Sequence, residues 1–221
     1  MFNMFNMLLA LNISKEVYKD FVQPAITYNA GTDSFAKYNS SLVEIALADS
    51  TADTTLLKKI NTVHTSAGEL VSFIRQVKIS LISLLDDIPE NDAAVLSKDY
   101  YNLQNKFNFD IPTYYLCGTD KEGENGKGYE IQMKIEAYRN LLQGFVANDK
   151  SEAEFVGNLL STSPLASSID GQNVSWVMYY FYHIPDLGVL NTLTGLEYKI
   201  VLAENSVISH LAKHRTGVAN Q

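Results

Sequence analysis

The sequence predicts an all-α protein, in which part of a transmembrane helix continues into an up-down bundle of about four long helices. Three observations carry this. In four stretches of the 221-residue chain, apolar side chains recur at spacings of three and four. The five prolines and twelve glycines fall mostly between those stretches. Hydrophobic residues make up 46% and charged residues 19%, the balance of a folded globular domain.

The opening element is an apolar run, Met1-Phe-Asn-Met-Phe-Asn-Met-Leu-Leu-Ala-Leu-Asn-Ile13. It meets no charge before Lys15 and passes into helix-forming sequence without a turn signal. As a helix it reaches roughly 20 Å, against a hydrocarbon core of about 30 Å. Three readings compete. It is the second half of a transmembrane helix, a signal-peptide core, or a buried core helix. Neither a basic leading region nor an Ala-x-Ala site supports the signal peptide. A core helix is what an apolar run of this length usually is.

The first long helix is read from Val17, Phe21, Pro24, Tyr28, Gly31, Phe35, Tyr38, Leu42 and Ile45, with a kink or break expected between Pro24 and Gly31. The second has the cleanest stripe: Leu56, Ile60, Val63, Ala67, Leu70, Ile74, Val77, Leu81, Leu84 and Ile88, stopped by Pro89. Asp53 or Thr54 is placed to cap it, accepting an otherwise unpaired amide N–H. Ile131, Ile135, Tyr138, Leu142 and Phe145 mark the third helix. Val189, Leu193, Leu196, Ile200, Ala203 and Val207 mark the fourth, opened by Pro185 and Asp186. Four such stripes bury themselves against one another at shallow crossing angles, as an antiparallel bundle.

Two stretches break the pattern. From Glu90 to Gly128, scattered aromatics give way to Gly118-Thr-Asp-Lys-Glu-Gly-Glu-Asn-Gly-Lys-Gly128, a polar loop expected to be exposed and mobile. Asp149 to Gln172 is rich in Ser and Asp, with a short apolar run from Phe155 to Leu160. Met178-Tyr-Tyr-Phe-Tyr182 alone has β character, too isolated to make a sheet; with Trp176 it reads as an aromatic plug on the end of the bundle. The tail, 214–221, has no pattern and reads as a linker or cut end.

The net charge of −8, with no basic stripe, disfavours nucleic acid as a partner. The glycines at 118, 123, 126 and 128 match neither phosphate-loop spacing, and a solvated loop is the expectation. His210 and His214 share a helix face but lack a third zinc ligand, so no metal is expected; histidines near a helix C-terminus explain them better. Asp86 and Asp87 have no nucleophile or oxyanion donor placed near them and read as a solvated helix end. The lone cysteine, Cys117, has no recognisable histidine partner. No catalytic, cofactor-binding or metal-binding residue is assigned, and the chain is read as non-enzymatic.

Three strings carry a family resemblance. Leu9-Ala-Leu-Asn-Ile-Ser-Lys-Glu-Val17 resembles the membrane-helix exit of the GldM/PorM family. Gly126-Lys-Gly-Tyr-Glu-Ile-Gln-Met-Lys-Ile-Glu-Ala-Tyr-Arg-Asn140 is similar to that family's glycine-led helix. Trp176 to Leu211 resembles its final bundle helix. The likeness runs from residue 1 to about 213, in the expected order.

What the resemblance implies is a subunit of the proton-driven inner-membrane motor for type IX secretion and gliding. It is a single-pass, homodimeric shaft with its bulk in the periplasm, threaded through a pentameric multi-span partner like GldL or PorL. Residues 1–16 would be the C-terminal part of the transmembrane helix and 17–213 the periplasmic bundle. Phe2, Asn3, Phe5, Asn6, Leu8 and Leu9 would face the membrane or partner, the asparagines turned to the second copy or the ring because they are costly in lipid. Further β domains, reaching periplasmic and outer-membrane secretion components, would follow in a longer protein. No residue here is assigned to proton coupling. The alternative is the extracytoplasmic bundle of a membrane sensor, which requires a second membrane helix; the polar residues after Leu211 argue against one.

Overall fold

A computed structural model describes residues 15–48, 53–105, 107–120, 122–166 and 171–216, with backbone alone at 15–18, 21 and 214–216. Four long helices dominate: α1 (Lys15–Ala48), α2 (Thr54–Asp86), α5 (Lys127–Phe145) and α8 (Asp186–Thr216). Between α2 and α5 lie α3 (Glu90–Leu96), a 3-10 turn (Tyr100–Asn102) and α4 (Asp110–Cys117). Between α5 and α8 lie α6 (Lys150–Leu159), an antiparallel pair of two-residue strands, β1 (Leu165–Ala166) and β2 (Asn173–Val174), and α7 (Trp176–Phe181).

Side-chain caps start several helices. Asp53 accepts from the Thr55 amide at 2.8 Å, Asp149 from Ser151 and Glu152, and Ser175 from Met178. At the end of α2 the chain turns through Asp87 in the left-handed conformation, φ 52°.

Contacts between the long helices set their directions. Tyr28 and Gly31 of α1 lie against Gly195 and Tyr198 of α8, and Asn39 lies against Val201 and Glu204. Position rises together along both, so α1 and α8 run parallel. On α2 the order is reversed, His64 meeting Glu204 and Lys78 meeting Thr194, so α2 runs antiparallel to α8. α5 is antiparallel to α2, Lys59 reaching Phe145 while Lys134 reaches Phe73. The long helices therefore run up, down and up through α1, α2 and α5. Segment 146–185 makes the return before α8 rises beside α1.

α8 is the central helix. Leu187, Val189, Leu190, Leu193, Ile200, Val201, Ala203, Val207 and Ile208 are all buried, around much of its circumference. The expected stripe of α8 is buried throughout; in α5, Ile131, Ile135, Tyr138 and Leu142 are buried and Phe145 is partly so. In α2 the stripe holds from Ile60 to Leu81 and then slips by one: Leu85 is buried and Leu84 is 54% exposed.

α1 differs from expectation in two ways. It runs unbroken through Pro24 and Gly31. Pro24 is exposed, on the side where a carbonyl released by the missing N–H is hydrated. Its buried face is also not the predicted one. Val22, Ala25, Thr32, Asn39, Val43 and Ala46 point inward, while Tyr28, Tyr38 and Ile45 are exposed. Gly31 matters for another reason: a Cβ there would come within 2.7 Å of the Tyr198 ring, which rests on the helix at that point.

Two further expectations change. The Met178–Tyr182 aromatics lie in and just after the short helix α7, with Trp176 and Phe181 buried edge to face at 5.6 Å. The glycine-rich loop is tied down. Asp120 accepts the amides of Glu122, Glu124 and Asn125, and Asn125 accepts that of Thr119. Gly123, Gly126 and Gly128 are buried, and a Cβ on Gly126 would sit 2.1 Å from the Leu116 carbonyl oxygen.

Candidate functional site

The face of α8 turned to α1 and α2 carries Thr194, Glu197 and Glu204, all buried. Steps of three and seven keep them on one side of the helix. They form a polar line inside an otherwise apolar bundle, and each member is answered from a neighbouring helix.

At its lower end Glu197, wholly buried, takes Lys78 Nζ at 2.5 Å and Arg75 Nε at 2.9 Å. Lys78 is itself buried and also donates to Thr194 Oγ1 at 3.3 Å. Thr194 donates on to the Leu190 carbonyl, and the buried Tyr100 hydroxyl meets it at 2.8 Å. Burial raises the Tyr100 phenol, while the Lys78 charge draws it back down. Arg75 reaches the surface and closes the cluster with Asp33 of α1 at 3.4 Å.

Two turns higher, Glu204 accepts from Asn39 Nδ2 at 2.8 Å and pairs with His64 Nδ1 at 2.6 Å. Asn39 also donates to the Val201 carbonyl and accepts from Asn205. Burial raises the Glu204 carboxyl above its ordinary value, with the His64 and Asn39 hydrogen bonds opposing. The buried Tyr138 phenol, facing Glu204, is pushed well up, chiefly by burial.

Chemically, this line holds helices in place. Lys78 and Arg75 match the charge of Glu197, and Glu204 is held by hydrogen bonds to Asn39 and His64. A buried ion pair adds little net stability, because desolvation offsets the attraction, but breaking one strands a charge. Such pairs therefore fix which residue lies opposite which. α1, α2 and α8 are locked in axial position at two levels.

The predicted site residues Phe2, Asn3, Phe5, Asn6, Leu8 and Leu9 lie outside the described residues. His210 stands 3.6 Å from Asp149. The side chain of His214 is not described. Among the described residues no cluster of metal-ligating side chains occurs, and no helix is long and apolar enough to cross a membrane. Cys117 is buried, and burial pushes its thiol up to about 12. Asp86 is not on a solvated end: it is buried and accepts the amides of Gln104 and Asn105 at 2.9 Å, pinning the chain beyond the 3-10 turn. Close to it, Asp186 starts α8 fully buried, its carboxyl pushed up to about 7 by burial and by Asp86.

Sequence reading missed the polar line. The available signal was the charge of Lys78, Glu197 and Glu204 inside segments otherwise read as apolar helix stripes, a costly placement unless the charges meet.

Fold and site together define an elongated all-α bundle domain, registered internally by the buried Lys78–Glu197 ion pair and the hydrogen-bonded Glu204 carboxylate. The model of the GldM N-terminal domain family matches residues 16–214, and the chain belongs to that family. It is a GldM-type protein, of the class associated with gliding motility and type IX secretion. No curated protein matches the chain.

Proposed function

We propose that this domain is a non-enzymatic, membrane-anchored shaft that carries motion from an inner-membrane ring into the periplasm. The observation that carries the proposal is the parallel pairing of α1 and α8. α1 begins at one end of the bundle and α8 finishes at the other, with 34 and 31 residues respectively. At 1.5 Å per residue these are rods of about 50 Å lying side by side. Force entering along α1 passes laterally into α8 and leaves at the far end. The Asn39–Glu204 hydrogen bond and, through α2, the Asp33–Arg75–Glu197 bridge oppose axial slip between the rods.

A sensory bundle has a different need. It returns the chain to the membrane, which calls for entry and exit at the same end. The parallel pair supports the shaft over the sensor.

The remaining features of the proposal are drawn from the family. The shaft is a homodimer, seated in a pentameric multi-span partner like GldL or PorL and driven by proton flow. The outward side of α1, with Tyr38 and Ile45 exposed seven residues apart, supports packing of a second copy there. Further domains would contact the periplasmic and outer-membrane secretion components. Purification of the native complex with subunit counting tests this. Two copies with five of a multi-span partner are expected; a lone homodimer carrying a small ligand would overturn the shaft in favour of the sensor.

A further inference from the structure

A groove of about 750 Å³ opens between the ends of α2, α4 and α5. Its floor is apolar and aromatic. Leu84 and Tyr114 are 54% and 70% exposed along it, while Ile111 and Tyr115 are partly buried and pack on the core behind it. One wall is the loop from Gly118 to Gly126, which the Asp120 carboxylate pins through three amides. Gly126 lies so close to the Leu116 carbonyl that no side chain fits there. The groove is therefore formed before anything enters it, which lowers the ordering cost of binding.

The charges around it are lopsided. Asp110 lines the groove and forms no ion pair among the described residues. Among the described residues that line it, Lys127 is the only cation, and Glu130 already takes its ammonium at 2.7 Å. Exposed Glu122 and Glu124 stand on the loop wall. Glu90 lies within electrostatic reach of Tyr115, and its carboxylate is met by the uncharged Ser80 and Gln76. Aromatic faces flanked by unpaired carboxylates recognise a cation carried on an apolar stem: the rings attract it and the carboxylates pair with it. The bundle uses the first of these contacts internally, with Lys134 Nζ 4.8 Å from the Phe73 ring centroid and Lys59 Nζ 5.6 Å from that of Phe145. An acidic segment would meet Asp110 as a like charge, and an uncharged apolar one would strip water from it without an answer.

We propose that this groove docks a partner protein through an apolar segment carrying lysine or arginine. Its apolar side chains lie on Leu84 and Ile111, and its cations lie over Tyr114 and Tyr115 against Asp110. Such a contact is independent of the shaft role, since it needs only the shape and charge of the groove. None of the groove residues lies on α1, the helix proposed to pack on a second copy.

The test builds the photo-crosslinker p-benzoylphenylalanine in place of Tyr114 in the full chain, in its native cells. Phe155, 42% exposed on α6, is the control position. Mass spectrometry is expected to find, at 114 and not at 155, a segment of another protein with lysines or arginines set in an apolar stretch. A captured segment without basic residues, a second copy of this chain, a lipid adduct or no adduct overturns the proposal. The purified 221-residue chain supplies a second reading. Its fluorescent probes are the peptide acetyl-Leu-Arg-Leu-Leu-Arg-Leu-amide and the counterpart with glutamate in place of arginine. Anisotropy should show binding of the arginine peptide alone, weakened by salt. Asp110→Lys should weaken it about fivefold or more, the upper range for one exposed ion pair. Asp110→Asn, which keeps a polar start for α4, should melt like the wild type and weaken binding less. Glu154→Lys, exposed on α6, makes the same change of net charge as Asp110→Lys and should leave binding unchanged. Equal binding of the two peptides, equal loss with Glu154→Lys, or failure of the arginine peptide to bind overturns the assignment.

Discussion

The two halves of the bundle are held by different physics. Between α2, α5 and α6 the buried side chains are mainly aliphatic, Ile131, Ile135, Leu142, Val156 and Leu160 among them, with uncharged-partner hydrogen bonds such as Gln143 to the Ala153 carbonyl beside them, and lysines touch the half through the faces of Phe73 and Phe145. Between α1, α2 and α8 the buried set includes Glu197, Lys78, Glu204, Asn39 and Thr32. Apolar burial is non-directional, and a helix that slides half a turn still buries most of its area. A buried carboxylate facing the wrong residue is left unpaired, at a cost of several kcal/mol. The apolar half supplies stability; the polar half supplies position.

Three experiments break or sharpen that contrast. The largest effect is expected from Glu197→Leu, which strands the Lys78 ammonium and should lower stability by about 3–5 kcal/mol in denaturant unfolding. Adding Lys78→Met should recover most of the loss, since Arg75 turns to solvent. If the single variant unfolds with wild-type stability, the pairing does not set register. Next, Ile135→Ala on the apolar side should cost about 3 kcal/mol by opening a cavity. No second-site charge change should rescue it; rescue by Lys78→Met would mean that the halves are not separable.

The smallest effect depends on pH. Burial raises the carboxyl of Asp186, so its contribution to stability is present in acid and is lost as pH rises through about 7. Asp186→Asn should remove that loss. Its melting temperature should gain on the wild type between pH 5 and pH 8, and equal slopes for the two proteins would refute the assignment. An asparagine Oδ1 can still accept the Leu187 amide, as Asp186 does at 2.7 Å.

How far the fold could be read from the residues follows the same division. The stripes of α2, α5 and α8 are legible because large aliphatic residues face the core, and spacing alone finds them. α1 defeats that rule. Its inward face is mostly small or polar (Ala25, Thr32, Asn39, Ala46, beside Val22 and Val43), and Asn39 packs on the polar line of α8; Tyr38 leans outward, and Tyr28 is part-exposed while resting on Tyr198. Size points one way and burial the other. In the loop from Gly118 to Gly128 the internal bonding is likewise invisible to spacing. Its polar residues bond to its own backbone, as Asp120 does three times, and its glycines are there to let α4 and α5 approach. The parallel course of α1 and α8 leaves no mark on periodicity, which records faces and not directions.

The seven-residue interval from Glu197 to Glu204 also limits how the domain can change in length. Two extra residues in α8 between those carboxylates would rotate the upper one by about 200°, away from Asn39 and His64. A longer version must add about two whole turns, and must add them to α1 and α2 as well. The bundle can therefore grow or shrink only in quantised steps taken by three helices at once.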